Sequence, residues 1–279
     1  MAASDPIKDY GAYRPTAWVK ALLALSQRTV LGRGKARRWI AKRLHAAHSG
    51  PLDVVLWGQP ARVHVGRNTN EVKALLNPAR FNRAELDLVR QYMPRRGGVF
   101  VDVGANAGMV SLAARAGMET GTLLCIEPQP EMFRRLRFNL EARRAHGGVR
   151  VVLVQAALGP QLGRARLAVP AQPGMASLAR LDTEIADHVD VDMRRLDQLC
   201  QSADLGQIDA LKIDVEGYED QALLPLYDHG PEALWPRLVI LEHCHARRWS
   251  RDVTQELLSL GYSILRQDRQ NICLARGAA

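Results

Sequence analysis

The sequence predicts an α/β protein with a mostly parallel, twisted β-sheet that is closed by an antiparallel terminal strand. Apolar strand-like runs alternate with helical patterns, as in a parallel sheet covered by helices on both faces. The first run, Val99–Val103, stops in a turn of small residues, Gly104–Gly108. The last two runs, Tyr262–Arg266 and Asn271–Leu274, are too close in the chain for a parallel crossover and therefore predict an antiparallel hairpin.

Residues 1–80 are expected to form an N-terminal appendage to this core. Two helices and a β-hairpin are expected in it, at Thr16–Ser26, Lys35–Ala47, and the paired runs Val54–Trp57 and Ala61–Val65. The hairpin follows from the alternating pattern of the two runs on either side of Gly58-Gln59-Pro60. It is also a candidate edge for a homodimer, although it could equally cover its own sheet.

Residues 81–279 are expected to form the main α/β domain. Helices are expected at Ala84–Met93, Met109–Ala116, Glu131–Arg144, Tyr218–Asp228 and Asp252–Leu260. Core strands are expected at Val99–Val103, Thr122–Ile126, Val149–Gln155, Ile208–Ile213 and Leu238–Leu241. An insertion at 159–207 separates the third and fourth core strands, with strand-like pieces at Arg164–Val169 and His188–Met193 and a mobile loop over Pro170–Met175.

The formal net charge of +9 raises the question of an anionic partner. The densest basic cluster has helical spacing and comprises Arg33, Lys35, Arg37, Arg38, Lys42 and Arg43. A solvated helix face is the simpler interpretation, and a phosphorylated carrier, a membrane surface or RNA is the alternative. The sequence contains no zinc-finger, RRM-type or helix-turn-helix motif, so a nucleic-acid partner is not expected.

The sequence favours a cytoplasmic protein without a transmembrane segment. No apolar run approaches the roughly 20 residues that span a bilayer, and the N-terminus lacks the pattern of a secretory signal. The cysteines of the chain are Cys125, Cys200, Cys244 and Cys273, and they form no CxxC pair. They are expected to be thiols in a reducing compartment.

The glycine turn indicates a nucleotide-like ligand that carries no phosphate. A dinucleotide fingerprint requires a second glycine where this chain has Asn106, and Asp102 would repel a pyrophosphate. S-adenosylmethionine, which has a cationic sulfonium and an amino-acid head group, suits an anion at this position. Glu127, twenty-three positions after Gly104, ends the second strand and offers a carboxylate for both ribose hydroxyls. The antiparallel terminal hairpin is likewise typical of class I methyltransferases.

From about Phe81 to Leu274 the chain resembles the FkbM-type S-adenosylmethionine-dependent methyltransferases. The matching segments are FVDVGANAG (100–108), IEPQP (126–130), the Asn139 of LRFNLE, QAALG (155–159), RLDQL (195–199), ALKIDVEGYE (210–219) and VILEHCH (239–245). The resemblance implies a Rossmann-like class I methyltransferase fold and methyl transfer to a hydroxyl of a sugar, polyketide or related metabolite. It also implies cofactor-binding residues: Asp102, Gly104, Asn106 and Gly108 at the methionine end, Glu127 at the ribose, and Ala156 or Ala157 at the adenine.

The chemistry on the acceptor is expected after the fourth and fifth core strands, since open α/β sheets bind ligands at the carboxyl ends of their strands. Asp214 and Glu216 are candidates to take the proton of an acceptor hydroxyl if burial raises the pKa of either group. The alternative is that one of them caps the following helix. Lys212 is expected to be an ion-pair partner, and Glu219 a residue on the helix face.

The segment Glu242-His243-Cys244-His245 ends the fifth core strand and supplies further catalytic candidates. Glu242 or His243 is expected in the acceptor pocket, and His243 or His245 could act as a general base because an imidazole titrates near neutrality. A histidine packed against the sheet is the alternative. A metal site, in which Asp214, Glu216 and Glu242 or His243 bind a divalent ion, is less favoured than either interpretation. No second HxH or CxxC motif accompanies this segment. No metal is therefore predicted.

The favoured function is O-methylation of a small-molecule or carrier-bound hydroxyl acceptor. The acceptor pocket is expected to come from the insertion and the N-terminal appendage. A nucleic-acid methyltransferase is a second hypothesis, but the chain has Asp214-Val215-Glu216-Gly217 where amine methylation uses an Asn/Asp-Pro-Pro-aromatic motif. Two further hypotheses are a non-catalytic protein that binds the cofactor and a nicotinamide-dependent dehydrogenase.

Overall fold

The chain alternates helices and strands along most of its length. The computed structural model describes residues 8–29, 34–48, 50–65, 68–141, 148–170, 178 and 185–277. The helices are α1 (Ala17–Arg28), α2 (Gly34–Ala47), α3 (Thr69–Leu76), α4 (Arg83–Tyr92), α5 (Met109–Arg115), α6 (Pro130–Glu141), α7 (Leu196–Ser202), α8 (Glu219–His229) and α9 (Val253–Ser259). The strands are β1 (Pro51–Leu56), β2 (Gln59–His64), β3 (Gly98–Val103), β4 (Gly121–Ile126), β5 (Val149–Val154), β6 (Ala157–Leu158), β7 (Gly163–Pro170), β8 (Ile185–Arg194), β9 (Ala210–Ile213), β10 (Leu238–Glu242), β11 (Tyr262–Gln267) and β12 (Asn271–Arg276).

A seven-stranded sheet forms the centre of the fold, in the order β11-β12-β10-β9-β3-β4-β5. The neighbours from β10 to β5 are all parallel, whereas β12 is antiparallel to both β10 and β11. Helices cover both faces, so every residue of β3 is buried. Burial on both faces explains why this strand reads as a continuous apolar run. The predicted fold class is confirmed.

The predicted terminal hairpin is confirmed, and its second strand lies inside the sheet. β12 sits between β10 and β11, with Ile272–Ala275 buried. β11 forms the edge of the sheet, and after Tyr262 its side chains are exposed. The apolar content of the two strands agrees with these positions, because an interior strand is covered on both faces and an edge strand is not.

The N-terminal segments pack directly on the core helices. The predicted hairpin is present as β1 and β2, and buried residues of α1, α2 and α3 share one apolar cluster with Phe100 of β3 and Leu112 of α5. In the hairpin, Arg62 donates to both carboxylate oxygens of Asp53, at 2.7 and 3.0 Å. The division of the chain at residue 80 stays a prediction.

The insertion forms a small sheet of its own. β7 and β8 pair antiparallel, as their alternating patterns predict, and β6 adds to β8 in parallel. The predicted mobile loop over Pro170–Met175 lies, except for Pro170 itself, outside the described residues, and so does the predicted helical end 142–144. α3, α7 and β6 were not predicted from the sequence. The buried residues of α3 include Glu71, α7 buries only Leu196 and Cys200, and β6 spans two residues, so none of the three shows a clear hydrophobic period.

Asn139 joins the N-terminal hairpin to the glycine turn. It lies on α6, is 2% exposed, accepts from the amide of Arg62 at 2.7 Å and donates to the carbonyl of Ala107 at 2.8 Å. A second donation reaches the carbonyl of Arg62 at 3.3 Å. This residue of the LRFNLE motif therefore connects two segments that are distant in the chain.

We expect Asn139→Ala to lower the free energy of unfolding by about 2–4 kcal/mol, because it leaves buried backbone groups without partners. Urea denaturation followed by circular dichroism measures the change. Arg137→Ala, an exposed position on the same helix, serves as the control and should stay within about 0.5 kcal/mol of the wild type. Equal stability of the two variants would contradict this role for Asn139.

Candidate functional site

The carboxyl ends of β3, β4 and β9 line a partly open cavity. It lies where the strand order diverges, since the chain continues from β3 to β4 on one side while β9 pairs with β3 on the other. In open α/β sheets such a point forms a crevice for ligands. Gly104, Asn106, Glu127, Ala156 and Ala157 line this first cavity, so five of the seven predicted cofactor residues are brought together.

The glycine turn has a backbone that few side chains would permit. Gly104 has φ +73°, and a Cβ atom there would lie 1.9 Å from the carbonyl oxygen of Asp214. Asn106 also has a positive φ of 54°, and its side-chain oxygen accepts from the amide of Ala107 at 2.8 Å. Asn68, which the sequence analysis did not single out, donates to the same oxygen. The turn thus brings the end of β3 against the segment that follows β9.

Glu127 closes β4 with both carboxylate oxygens bonded to backbone amides. Oε2 accepts from Asn106 at 2.8 Å and Oε1 accepts from Gln129 at 2.9 Å. Burial raises the pKa of Glu127 to about 7, although the two amides favour the ionised form. Each oxygen keeps lone-pair capacity, because a carboxylate offers about four acceptor sites. Glu127 can therefore accept two further hydrogen bonds from a ligand.

Asp102 and Gly108 lie behind the cavity wall rather than in its lining. Asp102 is fully buried, and one of its carboxylate oxygens accepts from the hydroxyl of Ser111 while the other has no hydrogen-bond partner among the described residues. Burial raises the pKa of Asp102, an effect that the charge of Lys212 opposes. Gly108 precedes α5 with φ +84° and faces Leu136, which a Cβ atom would approach to 2.8 Å.

The opposite wall of the first cavity is apolar. Ala156 and Ala157 follow β5, and both are buried. Leu167 and Leu178 of the insertion line the same wall. Small and branched apolar side chains in this arrangement suit a flat aromatic group. The described part of the insertion therefore contributes to the first cavity.

A second, larger and partly open cavity adjoins the first. The two cavities share Asn70, Asp214 and Glu216 as lining residues. The N-terminal helices α2 and α3 form one wall of the second cavity, as expected for an acceptor pocket. Its described lining includes no residue of the insertion, contrary to our expectation, because β7 and β8 pack beside the first cavity.

Three carboxyl groups meet at the junction of the cavities. Asp214, Glu216 and Glu242 each place an oxygen within 4.8 Å of the other two. The ammonium of Lys212, 6% exposed, lies 2.9 Å from Oδ2 of Asp214. Lys212 was expected to be an ion-pair partner, and its ion pair with Asp214 is present.

The three carboxyl groups have different pKa values because their surroundings differ. Burial would raise the pKa of Asp214, but Lys212 holds it below its usual range. Burial and the charge of Asp214 raise the pKa of Glu216 to about 7 and that of Glu242 to about 10. At neutral pH, Asp214 is therefore ionised, Glu242 carries a proton, and Glu216 is poised between the two states.

Glu219 contributes to the start of α8. Its Oε1 accepts from the amides of Val215 and Gly217 at 3.0 and 3.1 Å, and its Oε2 accepts from the indole of Trp249 at 2.7 Å. The N-cap residue of α8 has no side-chain capping bond. A fully buried carboxyl group within the helix therefore binds amides at its start, and the alternative that Asp214 or Glu216 caps the helix stays a prediction.

Glu216 occupies a strained backbone position with φ +57°. A non-glycine residue in this region costs about 1–3 kcal/mol, and such residues concentrate at functional sites. Among the three residues of the carboxyl cluster, Glu216 has a positive φ and Asp214 and Glu242 do not. The sequence offers one indication of it, since Gly217 follows directly and also has a positive φ of 98°.

The histidines after β10 separate into different environments. His243 makes a 2.8 Å contact between Nε2 and the carbonyl of Asp268 and does not line either of the two cavities. His245 lines the second cavity, with Nε2 3.4 Å from Oε2 of Glu216. The strand ends at Glu242, so these imidazoles do not follow the regular alternation of an extended strand. Glu242 lies in the second cavity as expected.

Two groups of side chains have the spacing of a cation site, namely Asp214, Glu216 and Glu242, and Glu242, Cys244 and His245. In the first group the ammonium of Lys212 and a proton on Glu242 already offset much of the negative charge. The donor set therefore does not require a metal ion for electrostatic balance.

Residues 102–264 match the family described as the methyltransferase FkbM domain. The match covers more than half of the chain and contains the glycine turn, Glu127 and the carboxyl cluster. The chain belongs to the FkbM methyltransferase family. The methyl donor that goes with this family and fold is S-adenosylmethionine, as the sequence predicted. Among the described helices, none is long and apolar enough to cross a bilayer.

Individual relatives of this FkbM-family chain are distant. "Methyltransferase 1" of the fungus Beauveria bassiana is 28% identical over 186 residues, which cover 59% of this chain and 72% of that protein. A magnesium protoporphyrin IX methyltransferase from Synechocystis PCC 6803, solved with bound SAM, aligns at 15% identity and a TM-score of 0.43 over 75% of this chain and 85% of that one. A methyltransferase from Geobacter sulfurreducens aligns at 13% identity and a TM-score of 0.42 over 96% and 99%. The family assignment rests on the domain match.

We expect Gly104→Ala to destabilise the protein by about 3 kcal/mol or more, because the new methyl group would overlap a backbone carbonyl and the φ is left-handed. Thermal unfolding measures this loss. Gly163→Ala is the matched control, since a Cβ atom there has no neighbour within 4 Å. Unchanged melting of Gly104→Ala would show that β3 and the segment after β9 need not approach so closely.

Proposed function

We propose that this protein transfers the methyl group of S-adenosylmethionine to a hydroxyl group on a small or carrier-bound acceptor, such as a sugar or polyketide. The single observation that carries the proposal is the carboxyl cluster at the junction of two cavities. Asp214 and Glu216 line both cavities, so a group activated by them in the second cavity faces a donor in the first. Proximity and alignment of this kind supply much of the rate enhancement of a displacement reaction.

The residues of the first cavity fit S-adenosylmethionine. In our proposal Glu127 accepts the two ribose hydroxyls with the lone pairs that the amides of Asn106 and Gln129 leave available. Ala156 and Ala157 offer a small apolar surface to the adenine. Gly104 and Asn106 hold the methionine end, where the ionised Asp214 favours a cationic ligand.

Asp102 and Gly108 support this cofactor site from behind in our proposal. Asp102 places a buried carboxyl group below the glycine turn, with one oxygen bonded to Ser111 and the other without a partner among the described residues. Gly108 lets α5 begin against Leu136. Both residues therefore shape the site without the direct contact that the sequence analysis expected.

Glu216 is the proposed general base. When bound, S-adenosylmethionine supplies an electrophilic methyl group on a sulfonium leaving group. Glu216 takes the proton of the acceptor hydroxyl while the oxygen of that hydroxyl bonds to the methyl carbon. The bond between that carbon and sulfur breaks, and the thioether leaves. A base with a pKa of about 7 is half ionised at neutral pH, which is close to the optimum for general-base catalysis. His245, 3.4 Å away, can orient this carboxylate.

Asp214 and Glu242 have supporting roles in this proposal. Asp214 stays ionised beside Lys212 and contributes a fixed negative charge near the sulfonium. Glu242, protonated at neutral pH, can donate a hydrogen bond to Asp214 or to the acceptor oxygen. His243 is set aside as a catalytic candidate because its imidazole lies against Asp268.

We expect Glu127→Gln to weaken the binding of S-adenosylmethionine by about tenfold or more, because one amide NH2 replaces a carboxylate oxygen that accepts from ribose. Isothermal titration calorimetry with S-adenosylmethionine and S-adenosylhomocysteine measures the affinity. Glu141→Gln, an exposed position on α6, is the control. A wild-type protein that binds neither compound at millimolar concentration would refute the proposed function.

Turnover should rise with pH through about 7 and then level off, because Glu216 must lose its proton before it can act as a base. The measurement is kcat against pH for an acceptor found by screening hydroxylated compounds with methyl-labelled cofactor. Glu216→Gln should lower kcat by about a hundredfold or more and change cofactor affinity little.

Asp214→Asn distinguishes the role of Asp214 from that of Glu216. It should lower turnover and keep a pH-dependent limb, since that limb belongs to Glu216. The limb should move to lower pH, because the charge of Asp214 helps to raise the pKa of Glu216. If Glu216→Gln retains the turnover and the pH profile of the wild type, the assignment of the base is wrong.

A further inference from the structure

The second cavity has two chemically different ends. Its inner end carries the carboxyl cluster of Asp214, Glu216 and Glu242. Its outer wall carries cations from two N-terminal helices, namely Arg37, Arg38 and Lys42 from α2 and Lys73 from α3. The two ends are close enough for the charge of Lys73 to lower the pKa of Asp214. A ligand that fills the cavity therefore meets carboxyl groups at one end and a cationic wall at the other.

The cations of this wall form no close ion pair among the described residues. None of the four has a carboxylate within 4.0 Å among the described residues, whereas the buried cations Arg62, Arg135 and Lys212 all do. Arg37 and Lys73 are half-buried, so water screens them less than it screens a free surface charge. Several unpaired cations on one concave wall repel each other, and a bound anion would relieve this repulsion.

The cationic lining continues into a neighbouring, partly open cavity. This third cavity shares Arg37, Lys73 and Asn82 with the second and adds Arg80. Guanidinium groups bind phosphate oxygens through two parallel hydrogen bonds, and an ammonium adds a point charge. The wall has more cations than a single carboxylate needs and suits a phosphate or diphosphate.

The orientation of α2 agrees with a ligand site rather than a uniformly charged helix. Arg37, Arg38 and Lys42 face the cavity, whereas Arg43 lies over the ring of Trp39, 5.2 Å from its centroid, and neither of these two lines the cavity. Besides the cations and the carboxyl cluster, the lining carries neutral polar side chains such as Asn70, Gln270 and Asn271. Amides of this kind suit the hydroxyl groups of a polyol.

We infer that the acceptor is a phosphorylated polyhydroxyl compound, whose phosphate or diphosphate binds Arg37 and Lys73 while a distant hydroxyl reaches the carboxyl cluster. This inference rests on the proposed function and adds the class of acceptor to it. A long polyanion fits less well, because its next phosphates would meet Asp214 and Glu216. The site is concave, which favours a small ligand over a flat membrane surface.

The test uses inorganic pyrophosphate as the probe and isothermal titration calorimetry on the full chain. The wild type should bind pyrophosphate, and Arg37→Gln/Lys73→Gln should weaken that binding by about tenfold or more, because charge-assisted hydrogen bonds are lost. The matched control is Lys35→Gln/Arg43→Gln, which removes two charges from α2 outside the cavity and should change the affinity by less than about twofold. Equal weakening by both pairs would overturn the inference.

A second arm tests the placement of the anion. Pyrophosphate should still bind when S-adenosylhomocysteine saturates the protein, and displacement of one by the other would overturn the inference by placing the anion in the first cavity. Anionic phospholipid vesicles that bind through Arg37 and Lys73, without pyrophosphate binding, would overturn it in favour of a membrane surface. If S-adenosylmethionine binds and pyrophosphate does not, the inference fails alone. If S-adenosylmethionine does not bind, the proposed function fails as well.

Discussion

The close approach of Gly104 to the backbone of Asp214 is the constraint on which the candidate site depends. A single methyl group on Gly104 would fall 1.9 Å from the Asp214 carbonyl oxygen. The amide of Asp214 also donates to the carbonyl of Val103 at 3.1 Å, so a backbone hydrogen bond joins the two segments. Because of this contact, the cofactor-like cavity of the β3 side and the carboxyl cluster of the β9 side share one wall.

A single buried ammonium group sets the electrostatics of that shared wall. Lys212 bonds to Asp214 and also lies close enough to the carboxyl groups of Asp102 and Glu242 for them to affect its pKa. Three carboxyl groups so close together cannot all ionise at neutral pH. Lys212 lowers the pKa of Asp214, whereas burial and the charge of Asp214 raise the pKa of Glu242 to about 10 and that of Glu216 to about 7. One buried ammonium thereby allows three carboxyl groups with different pKa values to lie within 4.8 Å of one another.

The N-terminal helices line the second cavity beside the carboxyl cluster. α2 and α3 pack on the core through buried residues such as Ile40, Leu44 and Leu75. Their remaining faces form the outer wall of the second cavity. The excess of basic residues, which at the level of composition suggested nucleic acid or a solvated surface, includes side chains concentrated on this one concave wall.

The sequence by itself determined the central sheet, because burial on both faces demands apolar runs and the short final connection demands a hairpin. It also determined the glycine turn, Glu127, and Asp214 with Glu216, since these residues directly follow predicted strands. Short elements such as α3 escaped prediction, and with them Asn70, because the buried residues of α3 include Glu71 and show no clear hydrophobic period.

Tertiary structure alone decided the roles within the site. It put Asp102 behind the cavity, turned His243 away, bonded Glu219 to amides at the helix start and assembled the cationic wall. These outcomes depend on contacts between residues far apart in the chain. The local sequence pattern determines which residues follow the end of a strand. The packing of other elements decides which of these side chains contact one another and which of them are charged.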